Sequence, residues 1–107
     1  MKLTIAAVPA AVGIVELKIR DPGVIRHVAF EMRQKLIMEN GRPDFEEVPV
    51  LFVEAQDNAT VRARRYAIIH HGQWIEPDDG EAATWVATGL SARGLLVHVF
   101  ELKRGDQ

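Results

Sequence analysis

The sequence predicts a mainly β protein: a single small domain in which hairpins build an antiparallel sheet, folded as a compact sandwich or a partly open barrel. The chain has 107 residues, which is the size of one domain. Turn-forming Gly, Pro, Asn and Asp residues recur at close spacing along it. The apolar runs between them are short, and several alternate with polar residues. We therefore treat residues 1–107 as one domain.

The first predicted strand runs from Ile14 to Arg20. Val15, Leu17 and Ile19 alternate with charged residues, which is the period of a half-buried strand. The Asp-Pro-Gly sequence at 21–23 is typical of a turn and is predicted to end this strand.

The next segment, 24–38, fits two structures. A period of 3.6 gives a helical stripe that ends at the Asn-Gly pair at 40–41, whereas a period of two gives a strand. β-Branched residues open the segment, so we expect a strand over 24–33. An α+β fold with one helix around 24–39 stays open as the alternative. Residues 34–47 are predicted to be a loop insertion.

Two hairpins are predicted in the second half. Val48–Ala55 is apolar on both faces apart from Glu54, and a turn at 57–60 would connect it to a strand over 61–70. The strands of the second hairpin, 84–90 and 95–102, are separated by four residues that end in Gly94. Residues 102–107 are expected to form a polar, frayed tail.

Composition excludes several classes of function. The formal net charge is −2, from 13 Lys and Arg against 15 Asp and Glu, so the basic excess of dedicated nucleic-acid or membrane-surface binders is absent. The absence of cysteine excludes disulfides, thiolate metal sites and cysteine nucleophiles. The apolar run at the N-terminus is too short for a secretory signal or a membrane span. We therefore expect a soluble protein without a leader.

The histidines are the first candidates for chemistry. His70 and His71 lie where a predicted strand reaches Gly72, and His98 lies in the last strand. Neighbouring strand residues point to opposite faces, so only one of the pair can join a site with His98 and a carboxylate such as Asp78, Asp79 or Glu101. We expect the pair to be exposed loop-edge residues and His98 to be a hydrogen-bonded core residue. A small metal-assisted hydrolase that uses these histidines is the alternative hypothesis.

A basic strand and two tryptophans are the second candidates. Arg62 and Arg64 would share a strand face with Tyr66, which is an arrangement that single-stranded nucleic-acid binders use. A solvated strand face, with its charges paired to acids at 46, 47 and 54, is the favoured interpretation. Trp74 and Trp85 are expected to cover the core or an edge, and Trp74 is kept as a candidate binding residue.

Four segments of the second half carry a resemblance to a known family. They are Arg64-Arg65-Tyr66-Ala67-Ile68-Ile69, Gly72-Gln73-Trp74-Ile75-Glu76-Pro77, Trp85-Val86-Ala87-Thr88 and Leu96-Val97-His98-Val99-Phe100-Glu101. About forty residues resemble a small domain family that is found mainly in bacteriophage and prophage proteins and is described only as being of unknown function. The resemblance implies a phage or prophage source and a mainly β fold, and it carries over no catalytic residue.

These observations together favour a noncatalytic protein-interaction module. Its partner is expected to be a host or phage protein, in the bacterial host cytoplasm or in a virion. No cofactor, membrane or nucleic-acid partner is expected. A homodimer is an open alternative, because small β domains often cover their edge strands with a second copy.

Overall fold

The computed structural model describes residues 2–35, 41 and 44–105, and these form one antiparallel sheet that does not close on itself. The mainly β prediction is therefore confirmed. The described residues contain no helix, and in particular none that could span a membrane. The predicted helix around 24–39 is wrong over residues 24–35, and 36–39 lie outside the described residues. The strands are β1 (Leu3–Pro9), β2 (Gly13–Gln34), β3 (Phe45–His70), β4 (Glu81–Leu90) and β5 (Leu96–Arg104).

Strand β3 is the centre of the sheet. Along one edge it pairs with β2 over nearly the whole length of both strands. Its other edge is shared, since β1 pairs with residues 50–56 and β5 pairs with residues 65–70. Strand β4 then pairs with β5. Of the described strands, β1, β2 and β4 thus have one paired edge each.

Two turn predictions are wrong, because both strands continue through sequences that are typical of turns. The pairing shifts from Asp21↔Thr60 to Gly23↔Ala55. Residues 56–59 of β3 therefore form a bulge of four residues opposite the single residue Pro22 of β2. The Asp21–Pro22 peptide is cis at this point. The turn-forming residues of β2 and β3 lie opposite each other, where they produce a shared irregularity that interrupts the ladder without reversing the chain.

The core contains residues from both sides of this bulge. Ile19, Val28, Leu51, Val53, Tyr66, Ile68, Val97 and Val99 form one buried cluster. Strand β4 also packs against β2, where Gly89 lies directly over Val28. A Cβ atom at position 89 would lie 2.8 Å from the Val28 carbonyl oxygen, so this close approach requires glycine.

The second predicted hairpin is confirmed in β4 and β5. The Leu95 amide donates to the Ser91 hydroxyl at 3.1 Å, and Gly94 has a φ of 81° in the connecting turn. The predicted tail is wrong over residues 102–104, because β5 extends to Arg104 and Leu102 is buried. The predicted insertion is also shorter at both ends, since Gln34 belongs to β2 and 45–47 belong to β3. Residues 36–40, 42–43 and 106–107 lie outside the described residues.

Candidate functional site

Two rows of side chains share the face of the sheet that lies opposite the core. Strand register places Ile14, Ala67, Phe100 and Trp85 in one row across β2, β3, β5 and β4. The adjacent row contains Ile69, His98 and Thr88. We call the face that carries these seven residues the outer face. Both candidate sites of this protein, an apolar groove and a histidine cluster, lie on it.

The groove is formed where the connection between β3 and β4 meets the start of β2. It has a volume of about 710 Å³ and is lined by Ile69 together with Val12, Ile14, Trp74 and Ile75. Trp74 is 76% exposed, and Val12 and Ile14 are each 44% exposed. Among the described residues that line it, Glu76 is the one charged residue. We call this feature the Trp74 groove.

The expectation that Trp74 and Trp85 pack in the core is wrong, because both side chains are largely exposed. Trp74 lies in a connection without regular secondary structure, so no neighbouring strand covers it. Trp74 remains a candidate binding residue. Sequence spacing could not show that Val12 and Ile14 approach Trp74, since they are about sixty residues earlier in the chain.

The structure separates the two adjacent histidines, as the strand period predicts. His71 Nδ1 lies 3.0 Å from His98 Nε2, and the two ring centroids are 5.3 Å apart. The backbone amide of His70 donates to Gln73 Oε1 at 2.8 Å, and the His70 Nδ1 atom is buried without a hydrogen-bond partner. His70 therefore takes no part in the contact between His71 and His98.

The predicted hydrolase site is not assembled in the described part of the chain. No group of three or more His, Asp and Glu side chains comes together there in a metal-binding arrangement. Carboxylates predicted as partners of the histidines have other contacts: Glu101 binds Arg64, and Asp78 binds Arg65. The reason is the strand period, because Glu101 and His98 are three residues apart and point to opposite faces of β5.

Two further residues extend the histidine contact into a chain of hydrogen bonds. The Trp85 indole Nε1 donates to Thr88 Oγ1 at 2.9 Å, and Thr88 Oγ1 lies 2.9 Å from His98 Nδ1. Sequence reasoning missed Thr88 as a site residue. The available signal was the predicted pairing of β4 with β5, since the observed register puts Thr88 directly opposite His98.

The basic strand pairs its charges, as favoured from the sequence, but the expected solvated face is wrong, because Arg64 is largely buried. Arg64 makes a bidentate contact with Glu101, with both N–H···O distances at 2.8 Å, and the two side chains are only 17% and 11% exposed. Arg65 donates to Glu81 at 2.9 Å. Neither partner is one of the acids expected at 46, 47 and 54, and Glu54 instead binds Arg26.

The nucleic-acid surface predicted from Arg62, Arg64 and Tyr66 is not formed. Tyr66 is fully buried in the core, so its ring offers no face on which a base could stack. Arg64 lies 5.7 Å from the Tyr66 ring centroid and is held by Glu101, which leaves Arg62 as the exposed member of the three. The prediction fails because the face of β3 that carries Tyr66 points towards the core.

Burial also changes the chemistry of Tyr66. Its hydroxyl group has no hydrogen-bond partner in the core. Burial raises the pKa of Tyr66 to about 12, which the nearby Arg64 guanidinium opposes and the Glu101 and Asp21 carboxylates reinforce. At neutral pH Tyr66 is therefore an uncharged core residue.

No family model matches the chain, and comparisons with the curated proteins and with the solved structures also gave no match. The resemblance to a bacteriophage and prophage domain family stays an expectation that rests on the quoted segments of the second half. The outer face itself carries two distinctive features, an exposed tryptophan and a pair of histidines in contact.

Proposed function

We propose that this chain is a noncatalytic protein-interaction module of phage or prophage origin, which binds a host or phage protein through the Trp74 groove. The exposure of Trp74 beside Val12 and Ile14 carries the proposal. A contiguous apolar patch of this kind is costly to leave in water and is typical of interaction surfaces. Tryptophan is also enriched among the residues that contribute most to protein–protein affinity.

The chemistry of the groove favours a protein over other ligands. Small-molecule sites enclose most of the surface of their ligand, whereas this groove is open to solvent. A nucleic acid would require cations for its phosphates, and the charged residue among the described lining residues is Glu76. An apolar side chain of a protein partner, seated against Trp74, matches what the groove presents.

The free edge of β2 supports the same proposal. Gly13 and Ile14 line the groove and pair with β3 on one side. Within the described residues, the other edge of β2 has no strand beside it. An extended peptide that added to this edge would gain backbone hydrogen bonds, while the groove would accept its apolar side chain. This interaction requires no cofactor, and we place it in the bacterial host cytoplasm or in a virion.

The proposal is tested by affinity capture from the lysate of a bacterium that carries a related prophage. The baits are the tagged wild-type chain, Trp74→Ser and the matched control Val24→Ser, which changes an exposed apolar residue of β2 that does not line the groove. We expect one reproducible partner on the wild type and on Val24→Ser, and at least about tenfold less on Trp74→Ser. Equal recovery on all three baits, or no partner, would contradict the proposal.

A further inference from the structure

We propose that His71 and His98 form a two-histidine site for a divalent transition metal, with Cu²⁺ as the preferred ion and Zn²⁺ as a weaker one. The site includes neither His70 nor a carboxylate. It does not rest on the proposed protein interaction, and it is tested on the isolated chain.

The two ring nitrogens are close to the separation that a metal requires. His71 Nδ1 and His98 Nε2 face each other at 3.0 Å. Two imidazole nitrogens at about 2.0–2.1 Å from a tetrahedral ion would be about 3.3 Å apart. Both rings must also turn so that their lone pairs meet beside the N···N line, and His71, which is exposed, has the room for the larger turn, whereas His98 is half-buried. The cluster is solvent-accessible, so water can occupy the remaining coordination positions.

The hydrogen bonds behind His98 are compatible with the tautomer that a metal ligand requires. An indole N–H can only donate, so Thr88 Oγ1 accepts from Trp85. The second lone pair of the same oxygen can accept the His98 Nδ1–H, at a distance of 2.9 Å. Histidine ligands in metal sites almost always donate their other ring N–H to such a partner. In this tautomer His98 Nε2 carries the lone pair and accepts a hydrogen bond from His71 Nδ1–H at 3.0 Å. A metal ion would replace that proton, and His71 would then carry its ring proton on Nε2.

Both ligands are held by paired backbone. His98 is opposite Ile69 on β3 and Thr88 on β4, so strands on both sides fix its position. The His71 amide donates to the Leu96 carbonyl at 2.9 Å, which fixes the residue that follows β3 against the start of β5. Binding a metal therefore requires little ordering of the backbone, which favours affinity.

The donor set selects the class of ion. Imidazole suits Cu²⁺, Ni²⁺ and Zn²⁺, whereas Mg²⁺ and Ca²⁺ require oxygen ligands. Between the suitable ions, a nitrogen site of unconstrained geometry binds Cu²⁺ more tightly than Zn²⁺. The structure therefore predicts the order Cu²⁺, then Zn²⁺, with no response to Mg²⁺.

Trp85 provides the signal for a direct test. The chain contains two tryptophans, so Trp74→Phe leaves Trp85 as the sole one. Tag-free protein in this background is titrated with Cu²⁺ while the Trp85 fluorescence is recorded. We expect saturable quenching, because Trp85 is connected to His98 through Thr88. The His71→Gln and His98→Gln substitutions should each weaken Cu²⁺ binding at least about tenfold. Thr88→Val removes the hydrogen bond to His98 Nδ1 and should weaken Cu²⁺ binding about tenfold.

His27→Gln is the matched control, because His27 is an exposed histidine of β2 outside the cluster. Its Cu²⁺ affinity should equal that of the parent. In addition, Zn²⁺ should raise the Tm of the wild type and not that of His98→Gln, since an ion that binds the folded state stabilises it. The proposal is overturned if the His71→Gln and His98→Gln proteins, folded by circular dichroism, bind Cu²⁺ as tightly as His27→Gln.

Discussion

Tyr66 is the only tyrosine of the chain, and it lies in the core between β2, β5 and the Arg64–Glu101 pair. Because its pKa is raised from 10.0 to about 12, the folded state holds the phenolic proton more tightly than the unfolded state does. The resulting stabilisation is fully present below about pH 10 and is lost as the pH rises towards about 12. We expect a loss of about 3 kcal/mol across that interval.

The measurement is a spectrophotometric titration of tyrosinate absorbance, which reports on Tyr66 alone. Native protein should titrate near pH 12 or at the pH where it unfolds, and protein in concentrated urea should titrate near 10.0. A native titration that coincides with the titration in urea would show that Tyr66 is not buried in solution.

The Arg64–Glu101 pair gives a second prediction at this scale. Glu101→Gln removes the charge that Arg64 contacts twice, at sites where both side chains are largely withheld from water. We expect the free energy of unfolding to fall by about 3 kcal/mol, because a largely buried guanidinium loses its nearer counter-charge and keeps only Asp21, at 4.0 Å. The same substitution should lower the pKa of Tyr66, to which Glu101 contributes an upward shift. Urea denaturation measures the first effect, and an unchanged midpoint would contradict it.

At the scale of strands, the sequence predicts which segments are strands more accurately than where each strand begins and ends. Alternation identified β2 from Val15, Leu17 and Ile19, and it also favoured strand over helix after residue 23. The turn-forming residues at 21–23 and 57–60 predict chain reversals, but both strands continue through them. Such residues indicate an irregular backbone, and in this protein the irregularity in β2 lies opposite the one in β3, so pairing resumes beyond both.

Packing of β4 on β2 gives the prediction at the scale of strands. Gly89→Ala places a Cβ atom 2.8 Å from the Val28 Cβ and from its carbonyl oxygen, so the strands must separate. We expect a loss of about 1–3 kcal/mol in the free energy of unfolding, which is typical of overpacking. Gly105→Ala is the matched control, since no atom lies within 4 Å of the added carbon there. Equal stability of the two variants would contradict the observed approach of β4 to Val28.

At the scale of the whole molecule, the fold class followed from alternation and turn spacing, whereas the sites depended on register. His71 contacts His98 only because β3 and β5 pair with Ile69 opposite His98. Thr88 lies opposite His98 only because the register of β4 shifts after Trp85. The Trp74 groove requires the start of β2 to meet a connection some sixty residues later. None of these relations has a local signature, because local patterns do not encode which strands become neighbours.

Photo-crosslinking from position 74 shows whether the Trp74 groove binds a protein. A photoreactive phenylalanine analogue replaces Trp74 in one protein and the exposed Val24 in a control, and both are expressed in a bacterium that carries a related prophage. We predict one discrete adduct with a host or phage protein from position 74, and none from position 24. No adduct from position 74, or the same adducts from both positions, would contradict the assignment of the groove as the binding surface.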